Sequence, residues 1–278
     1  MSGRLEASLL FFVLLCAAFA RDAKKTYFPL ESAKDLVAIG SEARVVTYRG
    51  RRSIQLIPTV GHENADEDML AVLMGPDFRD GTIEVEVAGA PRAGAPADVR
   101  GFIGVAFRVQ AKGTRGEYFY LRPTNARCDD QLRRNHSTQY VSAPDFPWER
   151  LRKESPGMYE SYVDLEPGVW TKMKIVVSGT KAQLYVNGAE QPALVVNDLK
   201  LGESHGQIGL WAHNTTEAYF SRISGQMKRP DAGGTIAAEM GSFAFLRLAL
   251  HFAQGVNNRS EQVKDAKKWA ASQRPFPD

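Results

Sequence analysis

Residues 82–88 read Thr-Ile-Glu-Val-Glu-Val-Ala, which puts Ile83, Val85 and Val87 on one side of an extended strand and Glu84 and Glu86 on the other. The same period of two runs through 102–109, where Ile103, Val105, Phe107 and Val109 oppose Gly104, Ala106 and Arg108. It returns in 117–122, with Phe119 and Leu121 opposite Tyr118, Tyr120 and Arg122. Further strands are predicted at 26–30, 43–48, 53–57, 170–177, 182–186, 192–196, 207–213 and 217–223. Turn signals separate them at Gly50, at Ser178-Gly179-Thr180 and at Asn187-Gly188. Residues 31–39 read as one or two helical turns, 61–68 as an acidic loop and 89–101 as a loop rich in proline, alanine and glycine. Short strands at even spacing, without strand–helix alternation, predict an all-β protein built as a two-sheet sandwich.

The two ends of the chain break this pattern. Arg4, the apolar run 9–15 and the small-x-small site Ala18-Phe19-Ala20 before Arg21-Asp22 predict a signal peptide over 1–20. The expected protein is therefore exported, to a periplasm or the extracellular space. Residues 21–228 form the predicted sandwich domain. Beyond it, 235–254 and 260–271 read as helices, so that 229–278 is a short helical C-terminal tail that packs on the sandwich or meets a protein partner. No stretch after the leader has the length of apolar chain that a membrane span needs.

Composition narrows the function classes. A net charge of +3 on 278 residues is too small to point to nucleic acid. Cys16 lies in the predicted leader, leaving Cys128 alone in the exported chain, so no internal disulfide is expected and stability must rest on the core. There is no HExxH, no phosphate loop and no GxSxG, and one cysteine with scattered histidines does not make a zinc site. No cofactor is expected. Glu63, Asp66 and Asp68 are hard oxygen donors of the kind that hold a structural calcium ion, but their spacing matches no EF-hand loop.

The runs FRDGTIEVEVAG, GFIGVAFRVQ, EYFYLRP, WTKMKIVVSGTKAQLYVNG and GQIGLWAH, between residues 78 and 213, resemble the concanavalin A-like lectin/glucanase superfamily, which includes the laminin-G-type domains. Within it they look like the secreted bacterial group near the 3-keto-glycoside hydrolase domains. The resemblance implies a jelly-roll sandwich whose concave sheet face holds a carbohydrate, an oligo- or polysaccharide. By alternation, Arg108, Tyr118, Tyr120 and Arg122 face that groove, and Trp211 and His213 share a face by the same period. Aromatic planes beside arginine forks suit sugar rings, which present apolar C–H faces and a rim of hydroxyls. Asn125 lies in the loop after these strands, and the resemblance adds Gln139 and Tyr140 as a Gln-Tyr pair.

Three functions are compatible with this pattern: a glycan-binding module, a glycoside hydrolase or lyase of the 3-keto-glycoside type using the same groove, and a laminin-G-like protein-binding module. Two sets of residues are candidates for catalysis. Glu84 and Glu86 are the nearest match to the Glu-x-Asp-x-x-Glu strand of laminarinase-like enzymes, but the second acid is Glu and the last position is Gly89. His136 stands in an arginine-rich loop, 124–139, as a base near neutral pH. Arginines of this region would clamp a carboxylate or sulfate. Trp148, in the insertion 145–162, is placed either at a groove edge or in the core beneath it.

Overall fold

The computed structural model describes residues 25–227 except positions 29, 31, 62–66, 76, 111, 112 and 114. The predicted signal peptide and helical tail lie outside the described residues, as do Glu63 and Asp66. The strands are β1 (Lys25–Phe28), β2 (Leu36–Ile39), β3 (Ser41–Tyr48), β4 (Arg51–Pro58), β5 (Asp68–Leu73), β6 (Gly81–Pro91), β7 (Ile103–Val109) and β8 (Gly116–Leu121). They continue with β9 (Thr138–Ala143), β10 (Glu160–Ser161), β11 (Thr171–Ser178), β12 (Lys181–Val186), β13 (Leu194–Val196), β14 (Gln207–His213) and β15 (Thr216–Met227). Two short helices, α1 (Gln131–Asn135) and α2 (Trp148–Glu154), flank β9. None of the described helices is long and apolar enough to cross a membrane.

The strands form two antiparallel sheets, an all-β sandwich of the jelly-roll kind. One runs β13-β12-β11-β6-β15-β4-β3, with β1 added to the far half of β15, and the other runs β10-β9-β8-β7-β14-β5-β2. The alternation explains how they pack. Ile83, Val85 and Val87 of the first sheet and Ile103, Val105, Phe107, Phe119 and Leu121 of the second are all at most 1% exposed, and they meet in one core with Met173, Ile175, Leu184, Leu210 and Phe220. Burying each such side chain contributes about 1.5–3 kcal/mol.

The structure departs from the pattern at four places. The predicted helical turns at 31–39 reduce to one 3-10 turn, Ala33–Asp35, capped by Ser32, and Leu36–Ile39 is a strand. Strand β5 carries no alternation because Met69–Leu73 is buried on both faces. Strand β9 occupies the end of what reads as a polar loop.

The fourth departure is at Arg108. Strand β14 pairs Val109 with Gln207 and Ala106 with Gly209, so Phe107 and Arg108 together oppose a single residue. Arg108 takes a left-handed φ of 52° and the alternation reverses there. Its side chain is therefore not in the groove. It is fully buried, and donates to the carbonyls of Arg79 (3.0 Å), Gly202 (2.8 Å) and Gly179 (2.7 Å) and to Asp80 (3.2 Å). Val109 turns outward in its place and packs with Tyr118 and Trp211.

Candidate functional site

The outer face of the seven-stranded sheet carries the site. In an antiparallel pair, directly opposed residues point to the same face. The registers Glu160↔Gln139, Gln139↔Tyr120, Tyr120↔Gly104, Gly104↔Trp211 and Trp211↔Leu70 therefore lay one transverse row across five neighbouring strands and onto a sixth. Tyr118 flanks this row on one side. On the other, Arg122, Phe102 and His213 follow, with His213 opposite Asp68. Tyr118, Tyr120 and Trp211 thus come together as the alternation predicts, but as a packed layer, only 5%, 3% and 7% exposed. The ring centroids of Tyr120 and Trp211 are 4.9 Å apart, and those of Phe102 and Tyr120 5.7 Å.

Gly104 makes this closeness feasible. A Cβ at Gly104 would lie 2.1 Å from the Phe119 carbonyl oxygen and 2.6 Å from Tyr120 Cβ. The bare backbone is what lets the two large rings meet over the strand between them.

At the β10 end of the row the chemistry changes from aromatic to ionic. Glu160 is held by both forks of Arg152, at 2.8 and 2.6 Å, by Arg122 at 3.4 Å, and faces His136 Nε2 at 3.6 Å. Arg122 also donates to the Tyr120 hydroxyl at 3.1 Å and to the His136 carbonyl at 3.3 Å. Its guanidinium lies 5.4 Å from the Phe102 ring, 5.2 Å from Tyr120 and 5.8 Å from Trp148. Arg152 stands 4.5 Å from the same indole, so Trp148 of α2 is gripped by two guanidinium groups. Trp148 is partly exposed beside this face and not a core plug: 37% of it faces solvent.

The electrostatics follow from this grouping. Burial would raise the Glu160 carboxyl, but the hydrogen bonds and charge of Arg152, with His136 and Arg122 behind them, outweigh it and hold the group below the usual carboxylate range. His136 moves the other way. Burial lowers it first, Glu160 opposes this, and the charges of Arg152 and Arg122 lower it further, so the imidazole is neutral at pH 7. Within the row, Gln139 spends its amide N–H groups on the carbonyls of Tyr140 and Tyr159. Its Oε1, and Trp211 Nε1 two strands beyond Tyr120, have no hydrogen-bond partner. One acceptor and one donor so placed cost about 1–3 kcal/mol each while unsatisfied.

The remaining predicted residues separate into those at the site and those away from it. Asn125 sits in the turn just after Arg122, 4% exposed, donating to the His136 carbonyl at 3.2 Å. His213 is on the face, edge-on to Phe102 at 5.9 Å, with Nδ1 2.7 Å from the Thr215 hydroxyl. Tyr140 is not on it. Because Gln139 opposes Tyr120, Tyr140 opposes Phe119 and points into the core, where its hydroxyl donates to Glu117 and accepts from the Lys200 N–H at 2.8 Å. Glu84 and Glu86 lie on the outer face of the other sheet. Lys172 meets Glu84 at 3.2 Å, and Arg51 and Arg222 pair with Glu86. That removes them from the site, since a carboxylate so neutralised and so placed reaches nothing bound on the opposite sheet.

Arg152 and Glu160 are the residues that sequence reading missed, since both come from an insertion with no alternation to orient them. Among the described residues no group of three or more His, Cys, Asp or Glu side chains could hold a metal ion.

The description "3-keto-alpha-glucoside-1,2-lyase-like domain" matches residues 55–224, more than half of the chain. No curated protein matches. Among solved structures, the carbohydrate-binding module CBM66 from Bacillus subtilis is similar over 69% of this chain and 95% of its own, at 14% identity and a TM-score of 0.47. A putative glycosyl hydrolase from Parabacteroides distasonis is similar over 74% and 100%, at 10% identity and 0.48. The exoplasmic/lumenal domain of VIP36 is similar over 75% and 90%, also at 10% and 0.48. With the match running from within β4 to within β15, the chain belongs to the family of 3-keto-alpha-glucoside-1,2-lyase-like domains.

Proposed function

We propose that this protein binds a carbohydrate on the outer face of its seven-stranded sheet, against Trp148 and along the row from Glu160 to Trp211. The observation that carries this reading is the junction of Trp148, gripped by Arg122 and Arg152, with an aromatic row that holds an unpartnered donor and an unpartnered acceptor. The indole offers a flat apolar surface for a sugar's C–H face, and the arginines offer fixed donors for its hydroxyls. Family membership supports a glycoside as the ligand class. Calorimetry against a panel of gluco-oligosaccharides tests the reading, and absence of heat with every sugar would overturn it.

The informative variant is Trp148→Ala. Losing a partly exposed indole with two cation–π partners is expected to weaken binding roughly tenfold with little change in stability. Tyr120→Ala is a poorer probe because that ring is buried. Truncating it opens a cavity costing about 3–5 kcal/mol, so lost binding would not be separable from lost folding.

The 3.6 Å pair of His136 and Glu160 favours a second reading, elimination from a 3-keto-glycoside. With a proton on the Nε2 that faces Glu160, the other ring nitrogen carries a lone pair that takes the proton beside the ring ketone, and Arg122 steadies the developing oxyanion. Release of the alcohol from a 3-keto-α-glucoside would report it. The rate is expected to rise with pH to a plateau, with its midpoint below histidine's ordinary value of ~6.5. His136→Gln should abolish release while leaving sugar binding intact, and a wild-type protein that binds but releases nothing is a binding module alone.

A further inference from the structure

Next to the site, beyond Arg122, two more arginines, Arg100 and Arg133, meet one turn without a carboxylate of their own. The turn Pro123–Asn125 joins them. Both the N–H and the hydroxyl of Thr124 reach the Arg100 carbonyl at 3.4 Å, and α1, which carries Arg133, packs on the same turn. The Arg100 side chain makes one long hydrogen bond, 3.4 Å to the Val99 carbonyl. Arg133 Nε is buried with no partner, and neither guanidinium forms an ion pair among the described residues. By contrast Arg127, in the same loop, is matched by Asp164 at 2.8 Å and Glu166 at 3.0 Å. Asn125 Oδ1, also buried and without a partner, lies in the turn between the two arginines.

We infer that Arg100 and Arg133 form an anion subsite that selects a sugar carrying a carboxylate or a sulfate. This rests on the carbohydrate reading above and extends it to the ligand's charge. Two half-buried cations on one turn repel one another, and a bound anion turns that repulsion into attraction to both. Forked guanidinium groups match the planar geometry of a carboxylate and the tetrahedral oxygens of a sulfate. Asn125 Oδ1, an acceptor, suits a hydroxyl on the same ring, which separates an acidic sugar from a bare inorganic anion.

The electrostatics agree with the geometry. The Arg100 guanidinium is held below its ordinary value by burial and then by the Arg133 charge, against the pull of Asp98 and Cys128, with Arg122 adding to the lowering. Asp98 is exposed and two residues away in sequence, and forms no ion pair with Arg100 that would occupy it.

The test compares three trisaccharides of one backbone, a neutral glucan, a glucuronate-bearing form and a sulfated form, by calorimetry at low and raised salt with the full chain. At least one acidic form is expected to bind about tenfold more tightly than the neutral one, with an advantage that shrinks as salt rises. Arg100→Gln and Arg133→Gln should each remove most of that advantage while leaving neutral binding in place. Equal affinity for neutral and acidic forms would overturn the inference but leave the carbohydrate reading standing. Variants that weaken both alike would overturn it too. Silence with all three sugars would overturn both together. Arg133→Lys, which keeps the charge but not the fork, should restore part of the preference and controls for a folding defect.

Discussion

Two buried glutamates show how one residue type is put to opposite uses in this domain. Glu160 is ionised and held by arginines, below its ordinary range. Glu117 is fully buried, hydrogen-bonded by the Tyr140 hydroxyl and by the Leu201 N–H at 2.7 Å. Burial raises its carboxyl, and the bonds from Tyr140 and Leu201 and the Arg108 charge only partly oppose this. The signs therefore differ. The depressed Glu160 contributes stability that is complete above the unfolded carboxylate value of ~4.3 and is lost as pH falls through its folded value. The raised Glu117 contributes stability that is complete below ~4.3 and is lost as pH rises through its folded value. Urea unfolding across the acid-to-neutral range should show both limbs. Glu117→Gln is expected to flatten the loss on the rising side. Glu160→Gln should flatten the acid side and cost about 3–5 kcal/mol at neutral pH, because it strands the buried Arg122. A rising-side slope unchanged in Glu117→Gln would remove that residue from the account.

At the scale of elements, one left-handed residue decides which side chains reach the face. Alternation is a parity rule, so it puts Tyr118, Tyr120, Arg122, Trp211 and His213 on the face where the structure has them, in strands or stretches that keep their parity. It fails at Arg108 and Val109, because the residue that inserts the bulge carries no mark in a hydrophobic pattern. Tyr140, which the resemblance supplies, leaves the face for a related reason: no alternation marks β9, in which Gln139 and Tyr140, being neighbours, point to opposite faces. Glu160 and Arg152 were illegible because tertiary packing of an insertion, not periodicity, brings them to the row. The bulge is also structural. Arg108→Met removes donors from three carbonyls and from Asp80 and is expected to cost about 3–5 kcal/mol in urea unfolding. Gly104→Ala should be at least as damaging, since the added methyl overlaps the Phe119 carbonyl. A stable Gly104→Ala protein with both rings in place would show that β7 and β8 can spread.

Over the whole molecule the two outer sheet faces differ in kind. The seven-stranded face is a packed aromatic layer ending in an arginine cluster, while the eight-stranded face is a ladder of ion pairs in which Lys174 and Lys172 oppose Glu84 and Glu86. Glu84→Gln and Glu86→Gln are therefore expected to leave sugar affinity unchanged, and a loss on either would return those carboxylates to the binding face. Such exposed pairs contribute at most about 1 kcal/mol each, and less as salt rises.

The pairing of β1 with the far half of β15 has a further consequence. Lys25 sits opposite Gln226, so the first and last described strands are bonded neighbours at the same place on the sandwich. The order in which this chain is covalently joined is then separable from the order in which its strands lie. A circular permutant that bridges those neighbours with a short linker and opens at the exposed Asn187–Gly188 turn is expected to fold and to keep the ligand face, because neither cut nor join touches the seven-stranded sheet.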